Sequence, residues 1–159
     1  MQPKIVEQQD FNVVGILVRT SNAKEMSGQG VIGQQWGRFY TEGVLDKILA
    51  KVDSTVYAVY SGYETDRNGE YDFMIGARVS SVTDVPQGMV ARKVPQGRYA
   101  VITSAKGPAE QVVPKAWKQV WDLEDQKQIA RAHKTDFEVY DQRSQDPKNS
   151  QVDIYVGIR

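Results

Sequence analysis

Glu138 is the residue of this chain best placed to do chemistry. It lies in Asp136-Phe137-Glu138-Val139-Tyr140, where an extended backbone sends Phe137 and Val139 to one face and Glu138 and Tyr140 to the other. A carboxylate among tyrosines suits an organic cation, through charge pairing and attraction to the negative ring faces, and suits an anionic metabolite poorly. Buried and raised in pKa, the same carboxylate would serve as a general base. The closing segment repeats the pattern: Val152, Ile154, Val156 and Ile158 share one face, Asp153 and Tyr155 the other. The competing reading is a sheet with one wet face bearing ordinary surface residues.

The aromatic content favours a site. Eight tyrosines stand against four phenylalanines, so most of these rings carry a hydroxyl for a ligand or water. Tyr57, Tyr60, Tyr63, Tyr71, Tyr99, Tyr140 and Tyr155 fall in or beside extended segments. Trp36, Trp117 and Trp121 fall at helical spacing, where an aromatic more often belongs to the core than to a ligand box; Trp36 and Trp117 could also reach the rim of a cleft.

Other chemistries drop out. The chain has no cysteine, which removes thiol nucleophiles, disulfides and zinc–thiolate sites, and its single histidine, His133, rules out a histidine-rich metal centre. No metal or cofactor is expected. Ser27-Gly28-Gln29-Gly30-Val31-Ile32-Gly33 lacks the spacing of a nucleotide-binding loop and reads as a flexible lead into a helix. Twenty basic residues balance twenty acidic ones, so direct nucleic-acid binding is not expected. No apolar run approaches a membrane span and no signal-peptide core opens the chain, so a cytoplasmic protein is expected.

The elements that must position these groups follow from the changes of period. Ile5 to Thr20 reads as one strand, followed by a polar stretch from Ser21 to Gly30. Ile32, Trp36, Phe39 and Tyr40 make a helical stripe closed at Gly43, with a short turn after it. Val56 to Tyr63 and Tyr71 to Val79 read as strands joined by a tight hairpin at Asn68-Gly69. A short strand around Met89 to Val94 and another from Tyr99 to Ser104 follow. A helix opens at Gly107-Pro108, with its regular part expected from Pro114 and a broken continuation over Leu123 to Ala132. Phe137 to Tyr140 and Val152 to Ile158 are the last strands. The order strand, helix, strand, strand occurs over about 5–80 and again over about 89–159. It implies an α+β fold: one domain over residues 1–159 in two duplicated units, a largely antiparallel curved sheet with helices packed on it, and a ligand cleft between the halves.

In these residues the chain resembles the effector-binding domain of bacterial AraC-type and MerR-type regulators, also known as the gyrase-inhibitor-like small-molecule-binding domain. The matching segments are Gly33 to Tyr40, Tyr57 to Glu64, Tyr71 to Gly76, Val94 to Val101, Asp136 to Tyr140, and Val152 to Ile158, where many relatives carry proline in place of Gly157. Their order and spacing, rather than any one segment, carry the resemblance. It implies a pocket between the halves in which a glutamate, ringed by aromatics, accepts lipophilic cations; Glu138 matches that glutamate, and Trp117 and the tyrosines of the first hairpin match wall positions. It also implies a stand-alone effector-binding or sequestering module tied to transcription regulation, with no catalytic residue. The alternatives are a hydrolase using Glu138 and a protein-binding module like the gyrase inhibitor. The candidate ligand contacts are therefore Glu138, Tyr140, Trp36, Phe39, Tyr57, Tyr60, Tyr99, Trp117 and Tyr155.

Overall fold

The computed structural model describes residues 3–159. Eight strands form one antiparallel sheet: β1 Lys4–Gln8, β2 Phe11–Ser21, β3 Lys51–Ser61, β4 Glu70–Val79, β5 Val90–Val94, β6 Gly97–Thr103, β7 Arg131–Tyr140 and β8 Asp153–Ile158. The helices are α1 Asn22–Met26, α2 Ile32–Thr41, α3 Val44–Lys47 and α4 Ala109–Asp125. The strand order is β1-β6-β8-β7-β3-β4-β2-β5, so β3 and β7 pair at the centre and β1 and β5 form the two edges. The α+β class and the antiparallel sheet read from the sequence are both present.

The helices cover one face, and their placement makes the cavity. Phe39, Val44 and Ile48, from α2, α3 and the residue after it, bury against Ile16, Phe73 and Ile75 of β2 and β4. On the other half, α4 buries Val112, Ala116, Val120 and Leu123, the last three of them packed with Ala100, Ile102, Ile154 and Val156 of β6 and β8. From the β2/β4 pair to the β6/β8 pair is four inter-strand steps, about 19 Å at the usual spacing. Two helices in contact sit only about 8–10 Å apart. Side chains of α2 and α4 therefore cannot close over β3 and β7, and a gap remains above the central strands.

The opposite face packs on itself through Phe11, Val13, Val59, Met74, Val94, Tyr99 and Phe137. Phe137 and Tyr155 stack there with ring centroids 4.6 Å apart, and Phe11 meets Phe137 edge-on at 5.4 Å.

Several local expectations change. The single strand over Ile5 to Thr20 is two, broken at Gln9-Asp10, because β1 crosses to pair with β6 while β2 pairs with β4 and β5. The polar stretch after it contains α1, capped by Ser21, whose hydroxyl accepts from the Lys24 N–H at 3.2 Å. Asn68-Gly69 does not form a tight two-residue hairpin. The β3 ladder ends at Ser61, Gly62 takes φ 61°, and residues 62–69 make a wider loop in which Asp66 accepts from the Asn68 and Gly69 N–H groups. Helix α4 is regular from Ala109, with Pro114 inside it, rather than starting at Pro114. It stops at Asp125; the rest of what reads as a broken helix is a turn at Lys127, φ 59°, followed by the first two residues of β7. The β7–β8 register shifts between Arg131 and Asp136, and His133 adopts φ 52° in that irregular stretch.

Candidate functional site

Above β3 and β7 lies a cavity of about 900 Å³. Its floor is the helix-facing side of the central strands, where Tyr60, Tyr71, Glu138 and Tyr140 stand; Trp36 comes from α2 and Trp117 and Trp121 from α4. Antiparallel pairing sets Glu138 directly opposite Ala58 on β3 and Ile154 on β8. The small Ala58 leaves room beside the carboxylate, and the larger rings enter diagonally.

Glu138 is 1% exposed. Its Oε2 accepts from the Trp117 indole N–H at 2.6 Å and the Tyr60 hydroxyl at 2.8 Å, and its Oε1 accepts from the Tyr140 hydroxyl at 2.6 Å. No cationic side chain is within ion-pair distance of it among the described residues. Burial pushes the Glu138 carboxyl above the usual carboxylate range, and the three donors pull it part of the way back. Burial and the nearby carboxylate together push the Tyr60 and Tyr140 hydroxyls well above the usual phenol range, so both remain donors. Trp36 meets the Tyr140 ring edge-on at 4.8 Å, and Trp117 meets Tyr60 similarly at 5.1 Å. The result is a carboxyl group walled by aromatic side chains, with its lone pairs directed by three fixed donors.

Two residues along β7 on the same face, Asp136 is fully buried and fully paired. It accepts from Arg131 Nη2 at 2.7 Å, from the Tyr63 hydroxyl and from the Gly157 N–H at 2.8 Å. A proline at 157 would lack that N–H. Arg131 and Tyr63 also reach the cavity wall, and the Arg131 guanidinium lies 5.8 Å from the Trp117 ring.

Of the residues proposed from sequence, Glu138, Tyr140, Trp36, Tyr60 and Trp117 meet in this cavity. Four do not line it. Phe39 is buried behind Trp36, its ring 6.2 Å away, in the contact between α2 and the sheet. Tyr57, Tyr99 and Tyr155 lie on the opposite face with Phe137. The reason for Tyr155 is register: Phe137, not Glu138, pairs with Tyr155, so the tyrosine faces of the last two strands do not coincide. For Tyr57 the reason is parity, since it stands three positions from Tyr60. Sequence reasoning left out the cavity residues Tyr40, Tyr63 and Tyr71 from the contact set, and it placed Trp121 toward the core. The signal for Trp121 was present in its i, i+4 relation to Trp117. The pairing of Asp136 with Arg131 had no signal, because it depends on the irregular start of β7.

Comparison with known proteins accords with this geometry. Residues 4–158 match the family model Cass2, the integron-associated effector binding protein. The chain belongs to this effector-binding family. It is 35% identical over 146 residues to YobU of Bacillus subtilis (strain 168), named as a transcriptional regulator, covering 91% of this chain and 90% of that protein. It is also 35% identical over 160 residues to the transcriptional regulator BrlR of Pseudomonas aeruginosa, covering 99% of this chain but 56% of BrlR. Among solved structures, the integron cassette protein of Vibrio cholerae superposes with a TM-score of 0.81 at 31% identity, covering 99% of this chain and 96% of that one. The structure of SAV2435 bound to tetraphenylphosphonium shares the fold, with a TM-score of 0.75 at 18% identity over 100% and 94% of the two chains. Family membership makes effector binding the coarse function of this chain, and the two relatives named above carry the names of transcriptional regulators. No helix among the described residues is long and apolar enough to cross a membrane.

Proposed function

We propose that this effector-binding protein takes a lipophilic, partly aromatic organic cation into the cavity between α2 and α4, with Glu138 as its charge partner. One observation carries the reading: Glu138 is buried, accepts three hydrogen bonds and has no cationic partner among the described residues. An uncompensated carboxylate at such depth is costly. A cation that sheds its water against aromatic walls supplies the missing charge while burying its own apolar surface. The tetraphenylphosphonium bound by a protein of the same fold supports this choice of ligand class. Binding without turnover is the preferred role, and occupancy of the cavity would be the signal read by a regulatory partner in the cytoplasm.

Isothermal titration with tetraphenylphosphonium tests the reading. Saturable binding by the natural chain, and its loss in a folded Glu138→Gln variant, are expected. Equal affinity in the two proteins overturns the assignment of Glu138. Mass spectrometry of the ligand after prolonged incubation checks for turnover, and a product that vanishes in Glu138→Gln would move the assignment to a hydrolase.

A further inference from the structure

Helix α4 brings a second carboxylate to the cavity. Glu110, Val113, Trp117 and Trp121 all line it at helical spacing, so the cavity runs as a trough beside this helix. Glu138 sits against Trp117, near the middle of that wall. Glu110 stands seven residues earlier, about 10 Å along the axis at the usual helical rise. It is exposed, and it forms no ion pair among the described residues.

The other charges lining the trough are either occupied or lie away from Glu110. Glu25 accepts from the Thr20 hydroxyl and from the Val31 and Ile32 N–H groups, which ties it to the start of α2. Arg67, beside Trp121 toward the far end of α4, is held by Asp125 at 3.0 Å. Arg131 is bound to Asp136. Lys118 is exposed on the rim, about 12 Å along the axis from Glu110. Positive side chains therefore stand beside or beyond Trp117, and the free carboxylate stands toward the helix start, with Val113 and Pro114 as an apolar span between.

We infer that the trough favours an elongated organic dication, with one cationic head against Glu138 and a second, about 10 Å away, beside Glu110. This rests on the reading of Glu138 as a cation partner. The basic residues at the other end oppose the reversed placement, so the order of charges sets the direction of the ligand as well as its length.

The experiment compares a bis-quaternary ammonium compound with an eight-carbon spacer and its mono-quaternary counterpart of equal chain length, each titrated into the natural chain, Glu110→Gln and Glu110→Lys. The ratio of dication to monocation affinity should fall about three- to fivefold in Glu110→Gln, the size of one exposed charge contact. It should fall further in Glu110→Lys, and the effect should shrink at high salt and with a four-carbon spacer. A ratio unchanged in both variants overturns the inference. Tetraphenylphosphonium titrated into Glu138→Gln separates the two claims. If its binding is lost there while the Glu110 variants keep the ratio, only the dication is wrong. If its binding ignores Glu138, both readings fall.

Discussion

Asp136 and Glu138 lie two residues apart on the same face of β7, both buried, and only Asp136 has an arginine. The same strand thus carries one acid that completes the fold and one left without a counter-charge among the described residues. The two should respond oppositely to amide substitution. Asp136→Asn leaves the buried Arg131 only the more distant Glu124, 3.6 Å away, and should cost about 3–5 kcal/mol of stability. Glu138→Gln removes an uncompensated charge while keeping an acceptor, so the free protein should be at least as stable as the natural chain. Urea denaturation of both variants checks this; a Glu138→Gln loss as large as that of Asp136→Asn would contradict it.

The raised carboxyl of Glu138 gives stability a pH signature. Between the ordinary glutamate pKa of about 4.3 and the higher folded value, the folded state holds a proton that the unfolded state has lost. Stability from this group is therefore present at low pH and declines as pH rises through the folded pKa. A stability difference between the natural chain and Glu138→Gln that stays flat with pH would contradict this. Denaturation midpoints measured from mildly acidic to neutral pH should instead show Glu138→Gln gaining relative stability as pH rises.

Ligand binding should run the other way. A cation favours the ionised carboxylate, so affinity should weaken as pH falls through the folded pKa of Glu138, with proton release on binding in that range. Calorimetry in buffers of different ionisation enthalpy measures the release directly, and none should be seen with Glu138→Gln.

Tyr140 and Tyr155 offer a matched pair on opposite faces of the sheet. Tyr140→Phe deletes a donor to Glu138, a hydrogen bond to a charged group with a net value of about 1.5–3 kcal/mol. It should raise the carboxyl further and move the pH midpoint of cation binding upward. Tyr155→Phe keeps the stack on Phe137 and should leave that midpoint where it was.

All three tryptophans reach the cavity wall. An aromatic cation should therefore change the intrinsic tryptophan emission, with Trp117→Phe removing a large part of the response. A bound ligand that leaves the emission untouched would have to sit elsewhere on the molecule.

Much of this was legible in the sequence. Alternation in Asp136 to Tyr140 put Glu138 and Tyr140 on one face, the helical stripe through Ile32, Trp36 and Phe39 gave α2, and the changes of period gave an antiparallel α+β domain. Local patterns reach that far because side-chain direction within one strand or helix follows from backbone geometry alone. Which strand faces coincide is not local. A one-residue change of register exchanges the two faces of a strand, and only pairing across the sheet set Tyr155 against Phe137 and Ile154 against Glu138. The tight turn at Asn68-Gly69 yielded for a related reason, since the wider loop follows contacts made by Arg67 to α4 and by its carbonyl to Asn22. The chain order alone thus determined a carboxylate among aromatics on an extended segment. That this carboxylate is buried, unpaired with any cation among the described residues and open to a cavity was decided by the spacing of two helices over the central strands, a distance that no short stretch of sequence encodes.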